Sequence, residues 1–253
     1  MARIFVTGSA GGLGLLTGQY LIGRGHEVVL HARNPAREAD IRSACTGVSA
    51  VVTGDLETVA GMRGVADVAN TLGRFDAVIH NAGVGDRGTS WYTTDGLPLV
   101  FAVNVLAPYV LTALMLRPAR LVYLSSSMHF SPGPLDLAGA RHGDLWTLPV
   151  SYGQSKFLVT ALTFGVARHW PGVVASAVDP GWVPTRMGGA SAPDDLQLGC
   201  ETQGWLAEGG DVSGGYWHHR KARRLDVGTL DAGLQDRLLA LCARVSGVAL
   251  PAE

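Results

Sequence analysis

The chain has little with which to build covalent or metal cross-links. Its 253 residues include three cysteines, Cys45, Cys200 and Cys242. They are widely spaced and odd in number, so they form neither a disulfide framework nor a metal-ligand pair. That usage points to a reducing compartment, and a cytoplasmic protein is expected. The eight histidines show no HExxH pattern and no Cys/His spacing, so no metal site is assigned. An excess of charge of one sign is also missing. The formal net charge is −1, with a pI near 6.7, which offers nucleic acid no electrostatic hold. The local exception, "HHRKARR" at residues 218–224, reads as a solvated basic loop. No Ser/Pro-rich linker, composition break or internal repeat divides the chain, so residues 1–253 are expected to form one domain with a sizeable core. Strand-like sequence starts at about residue 3, and no signal peptide is expected ahead of it. One apolar run, "LPLVFAVNVLAPYVLTALML" at residues 97–116, has the length of a membrane span. It contains Pro98, Asn104 and Pro108 and lies between two strand-like segments. A helix buried against a sheet explains it better, and no membrane partner is expected.

Glycine, by contrast, is abundant, and one cluster of it stands out near the start. The stretch "IFVTGSAGGLG" at residues 4–14 places Gly8, Gly11, Gly12 and Gly14 directly after an apolar run. Glycine loses the most backbone entropy on folding and has no side chain to pack, so this is a poor strand and a poor helix. Ile4, Phe5 and Val6 read as a short buried strand, and Leu13, Leu15, Leu16, Tyr20 and Leu21 return at helical spacing. The glycines therefore form a strand-to-helix turn. There a missing side chain lets a ligand approach the backbone, and the helix amino terminus presents unpaired N–H groups and a positive dipole end. Phosphate is the usual occupant of such a place, although a tight turn that binds nothing reads the same way in isolation.

Strand-like runs recur at residues 3–7, 27–32, 48–53, 75–80, 120–124 and 173–178, each almost continuously apolar. Strands buried on both faces have that composition. Helical patterns at residues 12–24, 35–44, 57–72, 95–116 and 151–169 alternate with them, and residues 214–219 and 230–245 suggest a last edge strand and a last helix. Strict alternation predicts an α/β fold of the Rossmann type, a doubly wound parallel sheet with helices on both faces. Ligands of such sheets lie beyond the carboxyl ends of the strands. Here those ends carry "TGSAGGLG", "HAR", "GDL", "HNAG", "LSSS" and "DPG", which together describe one long crevice.

With these pieces in order, residues 3–187 resemble the short-chain dehydrogenase/reductase family, in its compact branch. The resemblance rests on "TGSAGGLG", "GDL" at 54–56, "NAG" at 81–83, "VNVLAP" with Asn104, "LVYLSSS" at 121–127, "YGQSK" at 152–156 and "PGWVPT" at 180–185. It implies that Tyr152 is the general acid or base, that Lys156 tunes it and binds the nicotinamide ribose, and that Asn104 belongs to a proton relay. Counted from "LVYL" as the family's strand ending, Ser126 takes the catalytic place. Ser125 and Ser127 compete for it, with roles in finishing the strand or bonding the loop. The residues alone leave open that Asn104 merely satisfies a helix irregularity near Pro108. For the cofactor, the resemblance implies that Gly8, Gly12, Leu13 and Gly14 cradle the pyrophosphate, with Ser9 and Ala10 lining the turn. Asp55 and Leu56 would flank the adenine, and Asn81, Ala82 and Gly83 the ribose side. Pro180, Gly181, Val183 and Thr185 would close over the carboxamide.

Physical chemistry supports the pairing of Tyr152 and Lys156. Four residues apart on a helix, they emerge from one face, and a nearby ammonium favours phenolate over phenol. Bringing a tyrosine from its usual pKa of about 10 to near 7 takes roughly 4 kcal/mol. The strand "EVVLHARN" decides the cofactor: Ala32 stands where NAD users carry an acid, and Arg33 follows. NADP(H) is expected to be preferred, with NAD(H) possible because Gly11 occupies a turn position where many NADP users carry a second basic residue. The expected activity interconverts a carbonyl and an alcohol on a small-molecule substrate. A non-catalytic nucleotide sensor, or a redox-assisted epimerase or lyase of the same fold, is the alternative. Two departures stand out. A longer loop before Tyr152, with "LDLAGARHGDLW" at 135–146 and "SSSMH" at 125–129, looks like the retinol-dehydrogenase-like part of the family. A substrate cover is expected around residues 186–210, with Met187 and paired glycines. Apolar surface on helices 95–116 and 151–169 exceeds what one sheet face should cover, and family members commonly pair through these helices, so a homodimer or homotetramer is expected.

Overall fold

The structure, a computed structural model, describes residues 1–85, 91–130, 132–133, 135, 137, 141–142, 145–146, 150–209 and 213–253. Its main sheet contains β1 (Arg3–Val6), β2 (Glu27–Ala32), β3 (Ala50–Thr53), β4 (Ala77–His80), β5 (Arg120–Leu124), β8 (Val174–Asp179), β9 (Gly215–His218) and β10 (Lys221–Ala222). A separate two-stranded ribbon, β6 (Arg141–His142) and β7 (Leu145–Trp146), lies in the long loop before residue 152. The remainder of that loop's "LDLAGARHGDLW" stretch, apart from Leu135 and Leu137, is outside the described residues. Strand order in the main sheet is β10-β9-β8-β5-β4-β1-β2-β3. All pairings are parallel except β10 with β9. The order reverses between β1 and β4, and that switch point is where a doubly wound sheet opens a crevice.

Alternation along the strands divides the core in two. Ile4 and Val6 point toward α1 (Gly12–Gly23), α2 (Pro35–Ala44) and α7 (Leu196–Glu208), while Phe5 points to the other face. There it meets α3 (Val59–Thr71), α5 (Ala107–Leu114), α6 (Tyr152–His169) and α8 (Ala232–Ser246). Helix starts follow their caps. The side chains of Asn34, Thr58, Asp195 and Asp231 each accept a backbone N–H at the head of α2, α3, α7 and α8.

The apolar run at 97–116 is a buried helix, but an irregular one. It starts at Leu99 because Thr93 to Gly96 form a turn, with Gly96 at φ +71°, and Pro98 precedes the first helical residue. A short α4 (Leu99–Phe101) leads into a π-helical stretch, Ala102–Leu106, and then α5. The Ala107 amide reaches back five residues to the Ala102 carbonyl. Pro108 has no N–H to return to residue 104, so the ladder is already broken where the helix widens. Among the described residues, no helix is long and apolar enough to cross a membrane.

The surplus apolar surface expected on helices 95–116 and 151–169 is not there. Residues Ala107 to Ala113 are all buried within the chain, as are most of those in α6. Helix α8 and the residues after it supply the cover. Leu238, Leu241, Cys242 and Val248 join the same core cluster. Tyr109 Oη donates to the Val248 carbonyl at 2.8 Å, Trp170 Nε1 to that of Pro251 at 2.8 Å, and Arg117 to that of Ala252 at 2.6 Å. The Arg117 guanidinium also lies 4.2 Å from the Trp170 ring centroid. Deleting residues 248–253 should therefore destabilise the fold by about 2–4 kcal/mol, through lost partners for buried donors and the lost burial of Val248. Thermal denaturation reads this directly, and an unchanged midpoint would refute it.

Candidate active site

The turn after β1 is fitted tightly against the end of β4. Gly8 has φ +63°, and a Cβ there would sit 2.6 Å from the Ala82 Cα. Asn81 Nδ2 donates to the carbonyls of Thr7 at 2.9 Å and Gly8 at 3.1 Å, and the Ala82 amide donates to Thr7 Oγ1 at 3.0 Å. Asn81 and Ala82 thus fasten the glycine turn, in addition to standing on the expected ribose side. Ser9, expected to line the turn, is instead buried and turned inward. Its hydroxyl donates to the Val6 carbonyl at 2.9 Å and accepts the His31 amide at 2.8 Å. Helix α1 then starts from Gly11 with no side-chain cap and no acidic residue in its first turn. Among the described residues no carboxylate claims its leading amides, so the N–H groups at Gly12, Leu13 and Gly14 are left without a side-chain acceptor. The buried Oδ1 of Asn81 makes no hydrogen bond within the chain.

At the end of β2, Ala32 is buried and Arg33 is exposed, with no hydrogen bond or ion pair to any described residue. Arg37, in the first turn of α2, was not singled out from the sequence. Its guanidinium donates to the Ala10 carbonyl and pairs with Asp40, and a Cβ on Gly11 would lie 3.4 Å from its Nη2. A basic group therefore reaches the glycine turn through space, where the turn's own sequence has Gly11. Its signal is its place at the head of α2, just after the Asn34 cap, where the helix starts beside the glycine turn. Beyond β3, Leu56 is buried in the core. Asp55 is exposed and accepts the Glu57 amide at 3.0 Å, which stiffens its own loop.

Helix α6 opens with a reciprocal capping box. Gln154 N donates to Ser151 Oγ at 3.2 Å, and Ser151 N donates to Gln154 Oε1 at 2.8 Å. Tyr152 is thereby held at the first helical position, with Lys156 one turn on. The Lys156 ammonium is 5.3 Å from the Tyr152 ring centroid and donates to the Leu124 carbonyl at 2.8 Å. Gly83 is where the third wall closes. A Cβ on it would lie 3.8 Å from Lys156 Nζ and 3.4 Å from Asn104 Oδ1. The Asn104 side chain clasps Val84, accepting its amide at 2.8 Å and donating to its carbonyl at 3.0 Å. It also donates to Ser155 Oγ at 3.0 Å. Asn104 lies in the π-helical stretch, but its side chain joins the segment after β4 to α6 rather than bonding the backbone of its own helix.

The three serines separate by partner. Ser125 is buried and shares a 2.6 Å hydrogen bond with Thr160 on α6. Ser127 is exposed at the start of a 3-10 turn. Ser126, half-buried just past the end of β5, accepts the Met128 amide at 3.2 Å and is the serine whose hydroxyl acts on the Tyr152 phenol, favouring its charged form. Burial, and next the Asp179 carboxylate, push Tyr152 up to about 12, against the lowering effect of Ser126. Burial pushes Lys156 down to about 8, opposed by Asp179. The expected stabilisation of phenolate by the ammonium is thus outweighed, since the ammonium lies against the ring and desolvation disfavours both charged forms. In this arrangement Tyr152 is held as a phenol. Asp179, the last residue of β8, was also missed from the sequence. Its carboxylate accepts the Gly181 amide at 2.9 Å and is the acid that acts on both groups.

After β8 the chain crosses the crevice. Gly181 has φ +86° beside Asp194, whose carboxylate accepts the Trp182 amide at 2.5 Å. Pro180 and Val183 pack against Gly199 in α7, and a Cβ on Gly12 would lie 3.5 Å from the Thr185 methyl. Met187 meets Gly85 from the other side. Of the expected cover around 186–210, residues 196–208 form α7, packed on α1, and Gly210 is outside the described residues.

This crevice joins the glycine turn, the Arg37 guanidinium beside it and the Tyr152–Lys156 pair next to Ser126. The model of the family described as short chain dehydrogenase matches residues 2–136. The chain belongs to the short-chain dehydrogenase family. It is 39% identical over 260 residues to the uncharacterized oxidoreductase AN7799 of Emericella nidulans, covering 99% of both chains. It is 36% identical over 264 residues to the short-chain dehydrogenase chyC of Penicillium rubens, covering 100% of both. A crystal structure of an uncharacterized protein from Mycobacterium Paratuberculosis superposes with a TM-score of 0.82 at 24% identity, over 99% of this chain and 95% of that one. Short-chain dehydrogenases are oxidoreductases that bind a nicotinamide cofactor, and the uncapped start of α1, with glycine at 11, 12 and 14, fits the pyrophosphate of one.

Burying an ammonium has a measurable cost. Lys156 is held below its ordinary value in the folded chain, so the penalty is full below pH 8, shrinks as pH rises, and is gone above the unfolded value. From about 8 to 10.5 that difference amounts to about 3 kcal/mol. Lys156→Met should therefore raise the melting temperature of the cofactor-free protein by several degrees at pH 7, less whatever the unpaired Leu124 carbonyl costs. The gain should fade toward pH 10. A lower melting temperature at pH 7 would overturn this account of the ammonium.

Proposed function

We propose that the protein is an NADP(H)-dependent oxidoreductase that interconverts a carbonyl and an alcohol, with Tyr152 as the proton donor and acceptor. The observation that carries this reading is the buried Lys156 ammonium, 5.3 Å from the Tyr152 ring centroid and hydrogen-bonded to the Leu124 carbonyl at the strand end that leads into Ser126. The bound nicotinamide supplies or takes the hydride at the substrate carbon. Tyr152 Oη gives its proton to the carbonyl oxygen as negative charge develops there, and takes it back in the reverse direction. Ser126 Oγ holds that same oxygen. The phenolate left behind lies against the Lys156 ammonium, so the burial that disfavours charge in the resting site strengthens this attraction once the proton has moved. Asn104, through Ser155 and Val84, fixes α6 against the strand end on which the reacting groups meet. Three buried thiols, none in a disulfide, suit a reducing, cytoplasmic setting.

Replacing Tyr152 with Phe removes only the hydroxyl. NADPH affinity and fold should survive while turnover falls by about 100-fold or more. Ser126→Ala should be severe and Ser125→Ala mild, since Ser125 is engaged with Thr160. Near-normal kcat in Tyr152→Phe, measured by NADPH oxidation against a panel of ketones, aldehydes and quinones, would sink the assignment.

Preference for NADP(H) rests on Arg33 and Arg37, which bring two guanidinia to the end of β2 with no acid at Ala32. A 2′-phosphate accepts paired, charge-assisted bonds from such groups. Arg33→Ala should weaken NADPH binding about 10- to 100-fold, as expected for one charged hydrogen-bonded contact, and leave NADH nearly unaffected. Equal binding of both cofactors by the wild-type protein would overturn the preference.

A further inference from the structure

His31 is a buried histidine that follows the apolar residues Val28–Leu30 in β2, and the proposed chemistry does not use it. Both of its ring nitrogens are engaged by backbone. The Gly8 amide donates to Nδ1 at 3.0 Å, and Nε2 lies 2.8 Å from the Gly54 carbonyl. One bond goes to the glycine turn after β1, the other to the loop after β3 that carries Asp55 and Leu56. The backbone of the same residue is tied to the turn as well, its carbonyl accepting the Ser9 amide at 3.0 Å and its amide donating to Ser9 Oγ at 2.8 Å. An amide donor on one side and a carbonyl acceptor on the other admit a single form of the ring, neutral with the proton on Nε2. Burial also favours that neutral form. The ring is further held edge-on to Phe5, with centroids 6.5 Å apart.

We propose that His31 is a positioning residue for the adenosine half of the dinucleotide: its imidazole spans the gap between Gly8 and Gly54 and sets the separation of the two loops that enclose that half. It touches neither reacting group, for Tyr152, Lys156 and Ser126 lie across the switch point on β5 and α6. The proposal rests on the dinucleotide reading above. Three substitutions divide the two bonds. His31→Phe keeps the ring volume and loses both. His31→Asn keeps an acceptor near the place of Nδ1, and His31→Gln keeps a donor near the place of Nε2.

The test measures binding of NADPH, of 2′-phospho-ADP-ribose and of reduced nicotinamide mononucleotide to each protein by titration, together with kcat at saturating NADPH. His31→Phe should raise the dissociation constants of NADPH and 2′-phospho-ADP-ribose about tenfold, the scale of one lost positioning hydrogen bond. Binding of the mononucleotide and kcat at saturation should stay within about twofold of wild type. Asn and Gln should each recover part of the lost affinity, and they serve as the primary variants if the Phe protein does not fold. Unchanged affinity for 2′-phospho-ADP-ribose in all three variants, or an equal loss for the mononucleotide, would overturn the proposal. Failure of the wild-type protein to bind either NADPH or NADH would instead overturn the functional reading on which it rests.

Discussion

An ammonium group sealed from water organises this molecule. Lys156, one of only two lysines in the chain, is buried, and its hydrogen bond goes to the Leu124 carbonyl at the end of β5. Such a charge is tolerated only if the surrounding backbone is rigid and near. The structure meets that demand from three directions. β5 supplies the carbonyl, Gly83 lies alongside the amine, where an added Cβ would be 3.8 Å away, and the capped start of α6 keeps the lysine one turn from Tyr152. Stability alone would favour an apolar side chain at this position. Retaining the amine makes sense if the site must accept a phenolate transiently, because the same low dielectric that penalises an isolated charge rewards an adjacent pair.

Much of the architecture was legible in the linear chain because it rests on local rules. Apolar runs of strand length, helical spacing between them and glycines at a strand-to-helix turn are all nearest-neighbour signals. They led to the doubly wound, mostly parallel sheet, and to Tyr152 and Lys156 one turn apart on a single helix. What escaped the reading depends on contacts made across long separations. Arg37 reaches the Ala10 carbonyl from 27 residues away, and the Val248 carbonyl receives Tyr109 across 139 residues. The second of these explains the misjudged apolar surface. Counting hydrophobic residues in two helices says how much must be covered, and leaves open which element covers it. Here α8 and the residues after it do so from within the same chain.

The missed electrostatics have a similar origin. Tyr152 and Lys156 were read as a pair in isolation, which makes the cation the dominant neighbour. In the fold they share a dry site with Asp179, which approaches from the neighbouring strand β8 and acts with opposite sign on the phenol. Ser9 gives a smaller version of the same lesson. Its place in the turn suggested a wall of the crevice, yet its hydroxyl is consumed by Val6 and His31 inside the protein.

The π-helical stretch at Ala102–Leu106 carries one residue more than an ordinary helix needs between the same two ends. Each residue of an α-helix advances the side-chain direction by about 100°. Loss of a single residue there would regularise the helix and leave most of α5 packed as before, while rotating Asn104 away from Val84 and Ser155. The widened turn is thus a point at which fold and chemistry can part company. A lineage could shed one codon, keep a well-folded dinucleotide-binding protein and lose the alignment of its strand end with α6, so that a non-catalytic descendant of such an enzyme lies one deletion away.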